Sequence, residues 1–158
     1  MKGVVVREPI PGFEHGFVQA NVGFLLHAYV RVHRLGHVTL GTGLVTERDP
    51  DTVRGPDVAF WSAVRLPLDQ PKPRGYPDVA ADLCVEVLSP DHRRREMRDK
   101  LREYFTRGVR MVWIVDPEDQ TVTVYRSPDE GRLLHESTTL TGEDVIPAFS
   151  CPVAAFFE

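Results

Sequence analysis

The sequence predicts a mixed α/β fold (α+β in its connections), a central mixed sheet with one helix near the N-terminus and a second helix crossing over between two core strands. Three observations predict it. Residues 82–88, DLCVEVL, and 111–116, MVWIVD, are near-continuous apolar runs of the kind that strands covered on both faces require. Between them lies a charged stretch with helical periodicity, and a strand-helix-strand run of this length favours parallel pairing through a crossover. A further helical pattern precedes all the strands. With 158 residues and 42% hydrophobic composition, the chain suits one domain, 1–158, around one core.

Pro9, Pro11 and Gly12 keep the first dozen residues extended. From about 14 to 35, Phe17, Ala20, Phe24, Ala28, Val32 and Leu35 recur at three- and four-residue steps, so this stripe is expected to pack on the sheet, with Gly36 ending the helix. His15 lies off that stripe, where a solvated or capping role competes with a role in a site. Residues 37–47 are rich in glycine and β-branched residues and read as one or two strands bent at Gly41 or Gly43; residues 48–56 read as a polar connection. DVAFW, 57–61, makes a short strand opened by Asp57.

Residues 62–81 contain Pro67, Pro71, Pro73, Gly75 and Pro77 and form a long irregular excursion, a kind of loop that is usually functional or mobile. After the strand at 82–88 and the Ser89-Pro90 break, Asp91 can cap a helix with inner face Met97, Leu101, Tyr104 and Phe105, stopped by Gly108. TVTVYR, 121–126, reads as a hairpin partner of MVWIVD toward a sheet edge. A further strand and a short apolar C-terminal segment complete the chain.

A formal net charge of −4 gives no overall basic footprint, so any nucleic-acid surface must be a local patch. Cys84 and Cys151 lack zinc-knuckle spacing and do not suggest a disulfide framework. The three-valine run at the N-terminus is too short for a signal sequence, and no window approaches the ~20 apolar residues of a membrane span. These features point to a soluble, cytoplasmic protein without a membrane partner.

The chemistry centres on Glu86. A carboxylate between Val85 and Val87 in the most apolar strand requires a cation, either an arginine or a metal. Asp57 and Glu86 stand on short strands that could pair, and neighbouring hard oxygens are what a Mg²⁺ or Mn²⁺ site uses. Asp82, ~13 Å along the strand from Glu86, is too far to share its ion and more naturally satisfies backbone or a loop arginine. On a helical wheel Lys100 lies about 60° from Met97 and about 40° from Tyr104, so it points toward the sheet, unless its stem merely snorkels. Arg93 falls on the same side, whereas Arg94 and Arg95 rotate away toward solvent.

The segments TVRGPDVAFW, DLCVEVLSPD and RDKLREYFTRGVRMVWIVDP resemble the bacterial Uma-two family of restriction-endonuclease-like proteins, within the PD-(D/E)xK nuclease superfamily. The likeness extends from His15-Gly16 to the PAFSCPVAAFF ending. It implies a restriction-endonuclease-like fold, a magnesium or manganese cofactor, DNA as partner, and a site in which Asp57 and Glu86 hold the metal while Lys100 and His15 join them in catalysis. The lysine of the superfamily motif belongs two residues after Glu86, where this chain has Leu88, so Lys100 would be a migrated equivalent. The resemblance also admits a homodimer, because such nucleases often cut two strands, although no seam is legible. The implied activity is metal-dependent endonucleolytic hydrolysis of DNA. The alternative is an inactive nucleic-acid or protein-interaction module that retains the fold.

Overall fold

The computed structural model describes residues 2–91 and 94–158. Helix α1 (Phe13–Val32) is followed by strands β1 (Gly36–Leu40), β2 (Leu44–Glu47), β3 (Thr52–Arg54), β4 (Val58–Ser62) and β5 (Leu83–Val87). Helix α2 (Arg94–Arg107) leads to β6 (Met111–Asp116), β7 (Thr121–Ser127), β8 (Glu130–His135), β9 (Thr139–Thr141), β10 (Ser150–Pro152) and a 3-10 turn, Val153–Phe156. Six strands form the central sheet in the order β1-β4-β5-β6-β7-β8. Only β5 and β6 are parallel, joined by α2 as the crossover; the other neighbours are antiparallel.

Alternation along the strands divides the core between the two faces of the sheet. Val58, Phe60, Val85, Trp113 and Val115 face α1 and the C-terminal turn. Ala59, Trp61, Cys84, Val112 and Ile114 face α2 through Met97, Leu101 and Tyr104. Glycine ends α2 as expected, with Gly108 at φ +107 donating its N–H to Phe105. Cys84 and Cys151 are both free and buried.

The expected packing face of α1 is wrong. Phe17, Ala20, Phe24, Ala28 and Val32 are exposed, and the buried face is Val18, Val22, Leu26 and Val30 together with His15. Both stripes have helical spacing, so periodicity cannot choose between them. Polar anchors do: His15 and Gln19 both reach Asp57, through its carboxylate and its carbonyl respectively, and fix the rotation of the helix. His15 is therefore not a solvated cap.

Two smaller expectations also change. The polar connection after β2 contains β3, which pairs with β2 as a separate hairpin. β7 lies inside the sheet, and β8 takes the edge. α2 is described from Arg94 onward, and the two residues that separate it from the expected cap Asp91, Arg93 among them, lie outside the described residues. Among the described residues no helix is long and apolar enough to cross a membrane.

The proline-rich excursion at 62–81 lacks regular structure but is tied down. Arg65 Nη1 donates to the carbonyls of Ala80, Ala81 and Gly108, and Trp61 Nε1 donates to Val79. At the end of this loop Asp82 accepts the Ser62 N–H at 2.7 Å and pairs with Arg65 at 3.2 Å and Arg110 at 3.4 Å. Asp82 thus serves the strand's first turn, as its distance from Glu86 implied. Asp82→Ala would leave the Ser62 N–H without its acceptor and take one carboxylate partner from each of Arg65 and Arg110. Urea denaturation should show a loss of about 2–4 kcal/mol.

Candidate active site

Asp57 and Glu86 meet because of strand register. Val58 pairs with Val85 and Ala59 with Cys84 in the antiparallel β4–β5 ladder, so one further step places Asp57 opposite Glu86. The backbone of Asp57 is held from two sides, its carbonyl accepting from Gln19 Nε2 at 2.8 Å and from the Gly41 N–H at 3.2 Å. Its Oδ2 accepts the Val87 N–H at 2.7 Å and lies 3.2 Å from His15 Nε2. Asp57, at the head of β4, is thereby held by α1, the end of β1 and β5, with α1 and β5 reaching its carboxylate.

Glu86 is 2% exposed and Lys100 3% exposed. The lysine Nζ lies 3.5 Å from Glu86 Oε2, and the Tyr104 hydroxyl donates to Glu86 Oε1 at 2.5 Å. Lys100 and Tyr104 are one helical turn apart, so a single face of α2 supplies both partners. The cation beside Glu86 is thus a lysine, with no arginine pairing it among the described residues. The ammonium is buried, which excludes the snorkelling alternative. Glu8, from the extended N-terminal segment, approaches the same ammonium at 4.0 Å.

A cavity of about 220 Å³ opens here, lined by Glu8, His15, Gly55, Asp57, Glu86, Glu96 and Lys100 among others. All four residues expected in the site therefore border one space. Glu8 was not expected there, nor Tyr104 as a partner of Glu86. Tyr104 was legible only as a core aromatic, although a buried tyrosine needs a partner for its hydroxyl and shares a face with Lys100. Glu8 has no signal in sequence, since it sits in an irregular segment.

Burial pushes the Glu86 carboxyl up to about 7, with the Asp57 charge adding to the rise and with Lys100 and the Tyr104 hydroxyl opposing it. Burial and the Glu86 charge likewise hold the Tyr104 phenol well above its usual range. Glu86 is therefore under-compensated: its own lysine and tyrosine do not offset desolvation and a neighbouring carboxylate. His15 Nδ1 is a buried nitrogen without a hydrogen-bond partner among the described residues.

The donor set fits a hard divalent cation in its chemistry. Two carboxylates lie side by side, one of them costly to ionise, and Mg²⁺ commonly binds through one or two carboxylates while keeping several waters. Among the described residues no group of three or more His, Cys, Asp or Glu side chains gathers in metal-binding fashion, so an ion would depend on Asp57 and Glu86 with backbone or water oxygens completing its shell.

The fold has a counterpart among solved structures. The crystal structure of a protein described as a putative nuclease belonging to DUF820, from Anabaena variabilis ATCC 29413, superposes with a TM-score of 0.82 at 21% sequence identity, covering 99% of this chain and 87% of that one. The chain belongs to the Uma2 family, described as putative restriction endonuclease, whose pattern matches residues 1–154. No functionally curated protein matches the sequence.

Because the folded-state pKa of Glu86 is raised, the folded chain binds more protons than the unfolded chain between about pH 4.5 and 7, and Glu86 lowers stability as pH rises through that window. Glu86→Gln mimics the neutral carboxyl. In metal-free buffer its stability should match that of the unsubstituted chain near pH 4.5 and exceed it by about 3 kcal/mol above pH 7, as read from urea denaturation across pH. A gap that stays constant with pH would refute the raised pKa. Tyr104→Phe removes a bond that favours the ionised form, and should move the midpoint of this pH dependence upward.

Proposed function

We propose that the protein is a divalent-metal-dependent endonuclease that hydrolyses DNA phosphodiester bonds. The observation that carries this reading is the convergence of Asp57, Glu86, Lys100 and His15 on one cavity. Membership of a restriction-endonuclease family supports nucleic acid, and DNA in particular, as the partner.

In this reading Asp57 and Glu86 hold Mg²⁺ or Mn²⁺. When bound, the ion supplies Lewis-acid polarisation of the scissile phosphate and lowers the pKa of a water. The chain's own groups do the rest. Glu86 contributes a carboxylate whose burial disfavours its bare charge, which strengthens its preference for a cation. His15 positions Asp57 through Nε2, while the Val87 N–H holds the same oxygen from β5. Tyr104 fixes the orientation of Glu86. Lys100 keeps its ammonium in the cavity wall, where it orients the attacking water or offsets charge developing on the phosphoryl oxygens. Nothing here requires the lysine to take up a proton.

A second reading, an inactive nucleic-acid or protein-interaction module, is favoured by one feature: Glu86 already has Lys100 and Tyr104 as partners, and no three-residue ligand cluster accompanies it among the described residues. The two readings differ in their response to metal. For a nuclease, Mg²⁺ should raise the melting temperature at pH 8 in the unsubstituted chain and not in Asp57→Asn or Glu86→Gln. Duplex DNA should be cut in Mg²⁺, and Glu86→Ala and Lys100→Ala should lose cutting by about 10²-fold or more while remaining folded. At subsaturating metal the cleavage rate should rise about tenfold per pH unit below about pH 7 and level above it, following ionisation of Glu86. Unchanged cleavage in both alanine variants would overturn the assignment. Absence of any metal response would leave the interaction module.

A further inference from the structure

Helix α1 is apolar on both faces. Its inner face packs Val18, Val22, Leu26 and Val30 against the sheet, all of them buried. On the opposite face Phe13 is 89% exposed, Phe24 71%, Val32 76% and Phe17 40%. Ala20 and Ala28 lie between them, also exposed, and the rings of Phe13 and Phe17 stack at 6.2 Å. A helix that is hydrophobic all round is normally covered all round, and a contiguous exposed apolar patch marks an interaction surface. The stripe itself offers no cation to a nucleic acid apart from Arg31 at its C-terminal end.

We infer that this face is covered by the same face of a second copy of the chain, with α1 packing antiparallel on α1 across a twofold axis. The large and small side chains alternate so as to complement themselves. In an antiparallel pair centred near residue 22, Phe24 falls opposite the partner copy's alanine at position 20 and Phe17 opposite its alanine at position 28, so large meets small at the centre, while Phe13 meets the valine at position 32 at the ends. Charge agrees with the same register. Glu14 lies in the first turn of α1 and Arg31 in the last, both exposed and neither in an ion pair among the described residues, so each glutamate comes within reach of the other copy's arginine. Area agrees as well. Taking ~200 Å² for a phenylalanine, the exposed apolar side chains of this face amount to roughly 500 Å² per copy. A pair with its polar rim would therefore bury on the order of 1,000 Å², the lower bound for a specific interface, so a weak, reversible dimer is expected.

The inference does not rest on the nuclease reading, because oligomeric mass is measured without substrate or metal. Sedimentation equilibrium of the full chain over the micromolar range should give the mass of a dimer in reversible exchange with monomer. Phe24→Glu, at a position exposed in the single chain, should be monomeric with an unchanged circular dichroism spectrum. Glu14→Arg and Arg31→Glu should each weaken the dimer about tenfold, and the double charge swap should restore it. A chain monomeric throughout that range, or a dimer that survives Phe24→Glu, would overturn the proposal. Failure of the double swap to restore association would overturn the antiparallel register, and with it the pairing proposed.

Discussion

The structure depends on the burial of Glu86. A carboxylate in the middle of a strand with both faces covered cannot be left without partners, since the desolvation of an unpaired charge costs several kcal/mol. Its partners come from α2, as a lysine and a tyrosine one turn apart, and this sets where α2 sits over the sheet. The helix is held in that position by contacts on its other flank. Arg54 of β3 grips Glu103 with two hydrogen bonds, at 2.6 Å and 2.8 Å, and Arg107 donates to the carbonyl of Val45 in β2. The small β2–β3 hairpin, a sheet separate from the central one, therefore acts as a brace for the helix that compensates Glu86.

The two ends of β5 show the same chemistry resolved in opposite ways. At its start one carboxylate, Asp82, has two guanidiniums and a backbone donor. At its end two carboxylates, Asp57 and Glu86, share one lysine, one histidine, one tyrosine hydroxyl and one backbone donor. The first end is fully paired, with Arg65 and Arg110 on Asp82 and Arg110 reaching Asp144 as well. The second is short of positive charge, and burial together with the neighbouring Asp57 carboxylate pushes the Glu86 carboxyl up to about 7. Charge imbalance, rather than the presence of acids, separates a structural carboxylate from a candidate ligand.

Much of this was legible in the sequence. The core strands β5 and β6 are long apolar runs flanked by breaks, and the parallel crossover follows from the helix between them. Glu86 stood out because its neighbours are Val85 and Val87, and Lys100 because the wheel turns it toward the sheet. The face of α1 was not legible, because two apolar stripes compete and only the contacts of His15 and Gln19 with Asp57 decide between them. β3 is three residues long and carries no periodic signal. The register that sets Asp57 opposite Glu86 depends on how β4 slides against β5, which two short apolar strands do not specify by pattern alone.

The helical origin of the lysine also has a physical reason in this fold. Leu88, two residues after Glu86, follows the end of β5 and donates its backbone N–H to Val115. Its side chain lines an apolar groove with Met97, Leu101 and Ile114, away from the cavity that holds Asp57. A lysine there would have to leave that groove to meet Glu86. From α2, Lys100 enters between Glu8 and Glu86 and keeps its stem against the core while its ammonium joins the cavity wall. A cation supplied from the helix thus leaves the apolar packing of Leu88 intact and places the positive charge in the wall of the cavity that Asp57 and Glu86 also line.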